Sequence, residues 1–298
     1  MKSVKNSIRP TRTDRLFDAI NTFLLALVLL VVAYPLYFVV CASFSDPLAV
    51  SGGEVLFAPV RFTLAGYKKI LEYSLIWIGY RNTIFYTALG TFISLFLVVT
   101  LSYPLSRKDF KLRNLLTVMI AVTMFFSGGM IPTYLVVKKL GMLNTIWSIV
   151  LPGAIAANWI IITRTFFQTI PADLTEAAAI DGCTNFKAFY YIILPLSKAI
   201  LAVIGLYAAS GLWNGYFSAM LYLRDNKKYP LQLFLRQILL LNDMSNADIS
   251  SDSLADEQYL AELIKYGVII VSSLPMMVVY PMIQKYFVKG VMIGSIKG

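Results

Sequence analysis

The sequence has no histidine, only two cysteines (Cys41 and Cys183) and few charges: Asp, Glu, Lys and Arg make up 14% of its 298 residues. Each shortage excludes something. Without histidine there is no HExxH zinc site and no Cys/His metal framework. Nor is there a phosphate loop of the form GxxxxGK[ST]. The apolar runs carry no Asp or Glu near their middles, and such residues usually mark proton or ion paths. An ion-coupled secondary transporter is therefore disfavoured, although carbonyls and hydroxyls alone can hold sodium. Cys41 falls near the outer end of the first apolar run and Cys183 in an inner loop, so a disulfide between them is not expected.

Apolar residues are abundant: 58% of the chain, with a mean hydropathy of +0.70. That is the balance of an integral membrane protein, and the expected fold class is all-α with six transmembrane helices. A cytoplasmic arm, residues 1–18, precedes spans at about 19–41, 81–106, 114–137, 145–163, 192–223 and 263–287, and a tail, 288–298, follows. A signal peptide competes for the first run, but no small-x-small cleavage site follows it. The third span is interrupted by Gly128-Gly129 and Pro132, the last by Pro275 and Pro281. Gly205, Gly211 and Gly215 give the fifth a surface for close helix approach. The loops at 164–191 and 224–262 are long, and Asn242–Glu262 holds six acids and no base.

The net charge of +10 would suit nucleic acid, but its placement explains it otherwise. Segments 1–18, 106–113, 164–198 and 285–298 hold 15 basic residues against six acidic ones, which puts them, and both termini, on the cytoplasmic side. Lys138 and Lys139 fall in a short turn on the opposite side.

The loop 164–191 has strong local signals. Pro171 can open a helix where its missing N–H costs nothing. Asp173 and Glu176 put negative charge near the positive end of its dipole. Ala177, Ala178 and Ala179 favour helix with little bulk. Gly182 suits the left-handed residue that ends a helix, Thr184 suits the N-cap of a second one, and Pro195 bounds that one. The expected shape is helix, bend, helix: a docking knob between two spans. An amphipathic pair lying in the membrane interface is the plainer reading.

Glu176-Ala177-Ala178, Gly182 after Asp181, then Ile192-x-Leu194-Pro195 resembles the EAA loop of ABC importer permeases. The flanking IPADLTEAAAIDG and FYYIILPLSKAI look like the carbohydrate-uptake branch, similar to the maltose permease MalG and to the LplC and YtcP types. GGMIPTYLVVKKLGMLNT resembles the matching region of these permeases.

The resemblance implies a MalG- and MetI-like type I importer fold in the bacterial cytoplasmic (inner) membrane. It also implies a heterodimer with a second, MalF-like permease subunit, two copies of a cytoplasmic ABC ATPase, and an extracellular solute-binding protein that delivers an oligosaccharide. This chain would be non-catalytic and hold no cofactor, with ATP and Mg bound by the partner ATPase. Glu176, Ala177, Ala178, Asp181, Gly182, Ile192, Leu194 and Pro195 would form the coupling contact, with Glu176 pairing with a basic residue of the ATPase cleft. Gly294, Ser295 and Lys297 in the tail would reach between the ATPases, and the loop 224–262 would meet the binding protein. Polar and aromatic residues at membrane depth (Asn158, Trp159, Trp213, Asn214 and Tyr216) suit sugar rings, though interface aromatics are common in any span.

Overall fold

Away from water, backbone groups are best satisfied within one segment, by a helix. In the computed structural model, which describes residues 11–245 and 252–295, every regular element described is helical. Side chains are described to residue 239 and in part between 259 and 284. The chain divides into two units, Met1–Ile70 with Ser245–Ile270, and Leu71–Met244 with Val271–Gly298.

The first unit holds α1 (Arg12–Ser43), α2 (Pro47–Ser51) and α3 (Ala65–Glu72). Thr11 caps α1 in a reciprocal capping box with Asp14. The 32 residues of α1 reach about 48 Å at the α-helical rise, and their most apolar window buries nothing. Only the last turns pack: Cys41 joins Ala49 and Val55 in a small core. Phe44 stacks on Phe62 at 5.7 Å, and the Tyr67 hydroxyl pairs with that of Ser43 at 2.9 Å.

The second unit is organised along α4 (Ser74–Ser106). There follow α5 (Arg113–Phe125), α6 (Met130–Lys139), α7 (Trp147–Val150), α8 (Ala157–Thr169), α9 (Ala172–Ile180) and α10 (Asn185–Ala188). A π turn, Phe189–Ile193, leads to α11 (Leu194–Leu196), α12 (Lys198–Trp213) and α13 (Phe217–Tyr222). A 3₁₀ turn, Asn226–Lys228, precedes α14 (Leu231–Ser245), and α15 (Asp252–Ser295) contributes its second half. Both α8 and α12 pack along α4. Close approach is made on α4 itself: a Cβ at Gly90 would lie 2.4 Å from Leu212 Cδ1, and one at Gly79 3.0 Å from the Leu231 Cα. Gly211, by contrast, faces open space, so its expected packing role moves to Gly79 and Gly90. Near its start α4 holds the 3₁₀ turn, where Asn82 donates to the carbonyls of Lys227 and Tyr229 and Tyr86 donates to that of Lys228.

Three described helices are long and apolar enough to cross a membrane (Arg12–Ser43, Ser74–Ser106 and Glu262–Pro281), and five crossings result if each of two bent pairs is one span. Several expected boundaries shift. The third expected span keeps its expected break: α5 and α6 meet at 113° across Gly128-Gly129, with Gly129 at φ +84°. No single helix covers 145–163; α7 and α8 are separated around Pro152-Gly153, where proline has no N–H to give and glycine disfavours helix. The expected fifth span, 192–223, bends by 78° between α11 and α12 and stops at Trp213. Pro275 and Pro281 do not end α15, which runs through both. The segment 224–262, read as a polar loop, contains α14, which buries Leu231, Leu233, Phe234 and Leu235; residues 246–251 lie outside the described residues.

Candidate coupling site

Pro171 stands at the N-cap of α9 with extended backbone, and Asp173 lies in the first turn. At the other end Gly182 takes φ +76°. Its N–H bonds the Ala179 carbonyl at 3.1 Å, and the Cys183 N–H reaches back to Ala178 at 2.8 Å. This pair of bonds is the Schellman closure, which satisfies the last carbonyls of a helix. A Cβ at Gly182 would meet nothing within 4 Å, so glycine is required there for its backbone alone. Two residues on, the Thr184 hydroxyl accepts from the Lys187 N–H and starts α10. Helix, bend and helix thus stand as the local signals imply.

The second half of the knob is bolted to the bundle. Phe189 and Ile193 are buried with Val98 and Val99 of α4, Phe167 of α8, and Ile200 and Ile204 of α12. The Tyr103 ring lies 4.7 Å from that of Phe189, and its hydroxyl donates to the Asn185 carbonyl at 3.4 Å. Arg107 donates to the Tyr103 hydroxyl at 3.2 Å and grips both oxygens of Asp109 at 2.9 Å. That guanidinium holds the Asp109 carboxyl below its usual range. Arg164 Nε donates to the Leu105 carbonyl at 2.9 Å, and the buried Ser102 hydroxyl to that of Ile160, tying the end of α4 to α8. Pro195 has no N–H to return to Tyr191, and just before it the chain winds as a π turn in which the Leu194 N–H bonds the Phe189 carbonyl.

No residue of α9 is buried. Glu176, Ala177, Asp181 and Gly182 are exposed, Ala178 half-buried, and beside them stand two bare apolar side chains, Ile180 at 87% and Phe186 at 75% exposure. Ile192 and Leu194 are half-buried and Pro195 is exposed. Lys297 lies outside the described residues, as does the side chain of Ser295, and Gly294 is described only as part of the α15 backbone.

The five expected pathway residues do not gather in one place. Trp213 and Asn214 line a cavity of about 420 Å³ with Ser210, Gln232, Ser272 and Tyr280. Trp213 is buried; its indole N–H donates to the Ser272 carbonyl at 3.1 Å and its ring meets Tyr80 edge-on. Asn214 donates to the Ser210 carbonyl one turn back, at 2.9 Å. Tyr216 lies outside this cavity with the Arg236 guanidinium 4.7 Å above its ring. Trp159 packs against the core around Phe167, and Asn158 is exposed. Gln232 lies on α14, within the segment expected to be loop; the apolar spacing of LQLFLRQILLLN is the sequence signal for that helix.

No protein-family model matches the chain. It is 40% identical over 295 residues to protein LplC of Bacillus subtilis, spanning 98% of this chain and 99% of that one. It is 41% identical over 288 residues to the polygalacturonan/rhamnogalacturonan transport system permease protein YtcP of the same organism, spanning 96% and 99%. Its fold matches the crystal structure of a bacterial ABC transporter involved in the import of the acidic polysaccharide alginate. The TM-score is 0.83 at 35% identity, over 93% of this chain and 98% of that one. In these relatives the permease is non-catalytic and ATP is hydrolysed in a separate subunit. Identity at this level over nearly the whole length, on a matching fold, means that the chain belongs to the membrane permease subunits of carbohydrate-uptake ABC importers.

Proposed function

We propose that this subunit forms half of the translocation pathway for an acidic, uronate-containing oligosaccharide, and that the knob α9–Gly182–α10 is its contact with a cytoplasmic ATPase. The observation that carries the coupling role is the pairing of a bare tip with a bolted base: Ile180 and Phe186 stand exposed while Phe189 and Ile193 are locked into the bundle. Burying such side chains in a cleft is worth about 1.5–3 kcal/mol each. Glu176 would meet a basic group of that cleft. Closure of two ATPases would then move the knob as a rigid body and turn the pathway.

In this reading the chain crosses the bacterial inner membrane six times with both termini inside, the interrupted segment 145–163 making one crossing. Its partners are a second permease, two ATPase copies that bind ATP and Mg, and a solute-binding protein. The cavity at Trp213, Asn214 and Gln232 offers amide and indole groups to sugar hydroxyls. The acidity of the substrate rests on the sugars named for YtcP and for the alginate importer.

Gentle extraction through a tag on the N-terminal arm tests the assembly. Recovery of one second permease and two ATPase subunits supports it. A homo-oligomer that transports under an ion gradient alone overturns it.

A further inference from the structure

Beside the knob lies a cleft of about 510 Å³ whose lining includes Arg107, Lys108, Arg113 and Arg164. Two carboxylates share it, Asp109 and Glu176, and Arg107 already holds both oxygens of Asp109. Positive charge is therefore in excess, and it is fixed in place. Arg113 spends one donor on the Arg107 carbonyl at 3.2 Å and Arg164 one on that of Leu105 at 2.9 Å, which aims each half-buried guanidinium and leaves its other donors unspent among the described residues. Asn114 and Ala172, which also line the cleft, lie in the first turns of α5 and α9, neither of which has a side-chain cap. Their positive dipole ends add to the arginines. Phe167, Ile170 and Ile193 supply an apolar wall. The bare apolar residues of the knob, Ile180 and Phe186, take no part.

We infer that this cleft binds a phosphate group, and that its physiological source is the headgroup of an anionic phospholipid. Fork-shaped guanidinium donors suit phosphate oxygens. The apolar wall suits the glycerol and upper acyl carbons of a lipid, which free phosphate would leave unused. Recognition of phosphate rests on the cleft alone; the lipid source rests on the membrane orientation proposed above, with the cleft at the inner leaflet.

The test is native mass spectrometry of the full-length chain in neutral detergent, titrated with phosphatidylglycerol, phosphatidylcholine or inorganic phosphate. The expected result is one retained phosphatidylglycerol, preferred over phosphatidylcholine, with retention falling about fivefold for each of Arg113→Gln and Arg164→Gln. Lys108→Gln, at an exposed position with no hydrogen bond or ion pair among the described residues, should lower retention in the same direction and covers the case in which an arginine variant misfolds. Displacement of the lipid by millimolar inorganic phosphate would keep the phosphate site and assign it to the free anion. Equal retention of both lipids, or full retention in the double arginine variant, overturns the inference. So does a double variant that keeps its lipid but loses co-purifying subunits, since the cleft would then belong to a protein carboxylate.

Discussion

The two halves of the knob differ more from each other than either differs from its neighbours. The first, α9, buries nothing and presents alanines, Ile180 and Glu176 to solvent. The second, from α10 through the π turn, buries Ala188, Phe189 and Ile193 and is held by Tyr103. A surface made to dock must stay bare, and a surface made to carry load must stay packed. Gly182 sets the bend between the two helices, and the change from bare to packed falls just beyond it, between Phe186 and Ala188 of α10.

Breaking that division should have the largest effect. Gly182→Val forces a β-branched residue to φ +76°, at about 1–2 kcal/mol for the left-handed conformation alone. Because the surroundings are open, the fold should survive with the tip misplaced, so uptake is lost while membrane insertion persists. Gly182→Asn, which tolerates the same φ, should restore most transport. Wild-type uptake by the valine variant would show that the bend is not needed. Next in size is Glu176→Lys, which reverses charge on the bare half only: assembly with the ATPase, read by co-purification, should weaken, and thermal stability should stay within about 0.5 kcal/mol.

The packed half should answer in the opposite sense. Tyr103→Ala strips the ring from Phe189 and the anchor from Arg107, and should destabilise the chain by about 2 kcal/mol, read as a lower Tm in detergent, because the site is half-buried. The effect of Tyr103→Phe, which keeps the ring, should be much smaller. The smallest effect is expected at Asp109. Arg107 depresses its pKa, so the stability it contributes is present above the ordinary carboxylate range and is lost as pH falls through the depressed value. Exposure limits the pair to less than about 1 kcal/mol. A Tm difference between wild type and Asp109→Asn that vanishes on acidification would match this; a constant difference would not.

These contrasts also explain what the sequence made legible. Every feature of the bare half is local: the proline N-cap, the alanine run, the left-handed glycine and the Thr184 cap act within a few residues, and all stand where the residue pattern puts them. The packed half depends on partners far away in the chain. Nothing near Arg164 indicates the Leu105 carbonyl it bonds, and nothing near Phe189 indicates Tyr103. Gly128-Gly129 marks the break between α5 and α6 in the sequence itself, but an average hydropathy over residues 145–163 hides what Pro152-Gly153 does to a helix. Segment 224–262 shows the converse: the acids of its second half give a polar average that hides the leucines of α14.

The π turn at Phe189–Ile193 has a consequence for aim. A π turn accommodates one residue more than an α-helix would between the same flanking turns. One residue corresponds to about 100° of rotation around a helix axis. Deleting a single residue there would let the segment rewind as a regular helix, and everything before it would swing by that angle. The knob would keep its sequence, its cap and its stiffness, yet face a different compass bearing. If the knob is the proposed contact with an ATPase, its aim is a matter of azimuth as well as exposure, set by one surplus residue in the π turn.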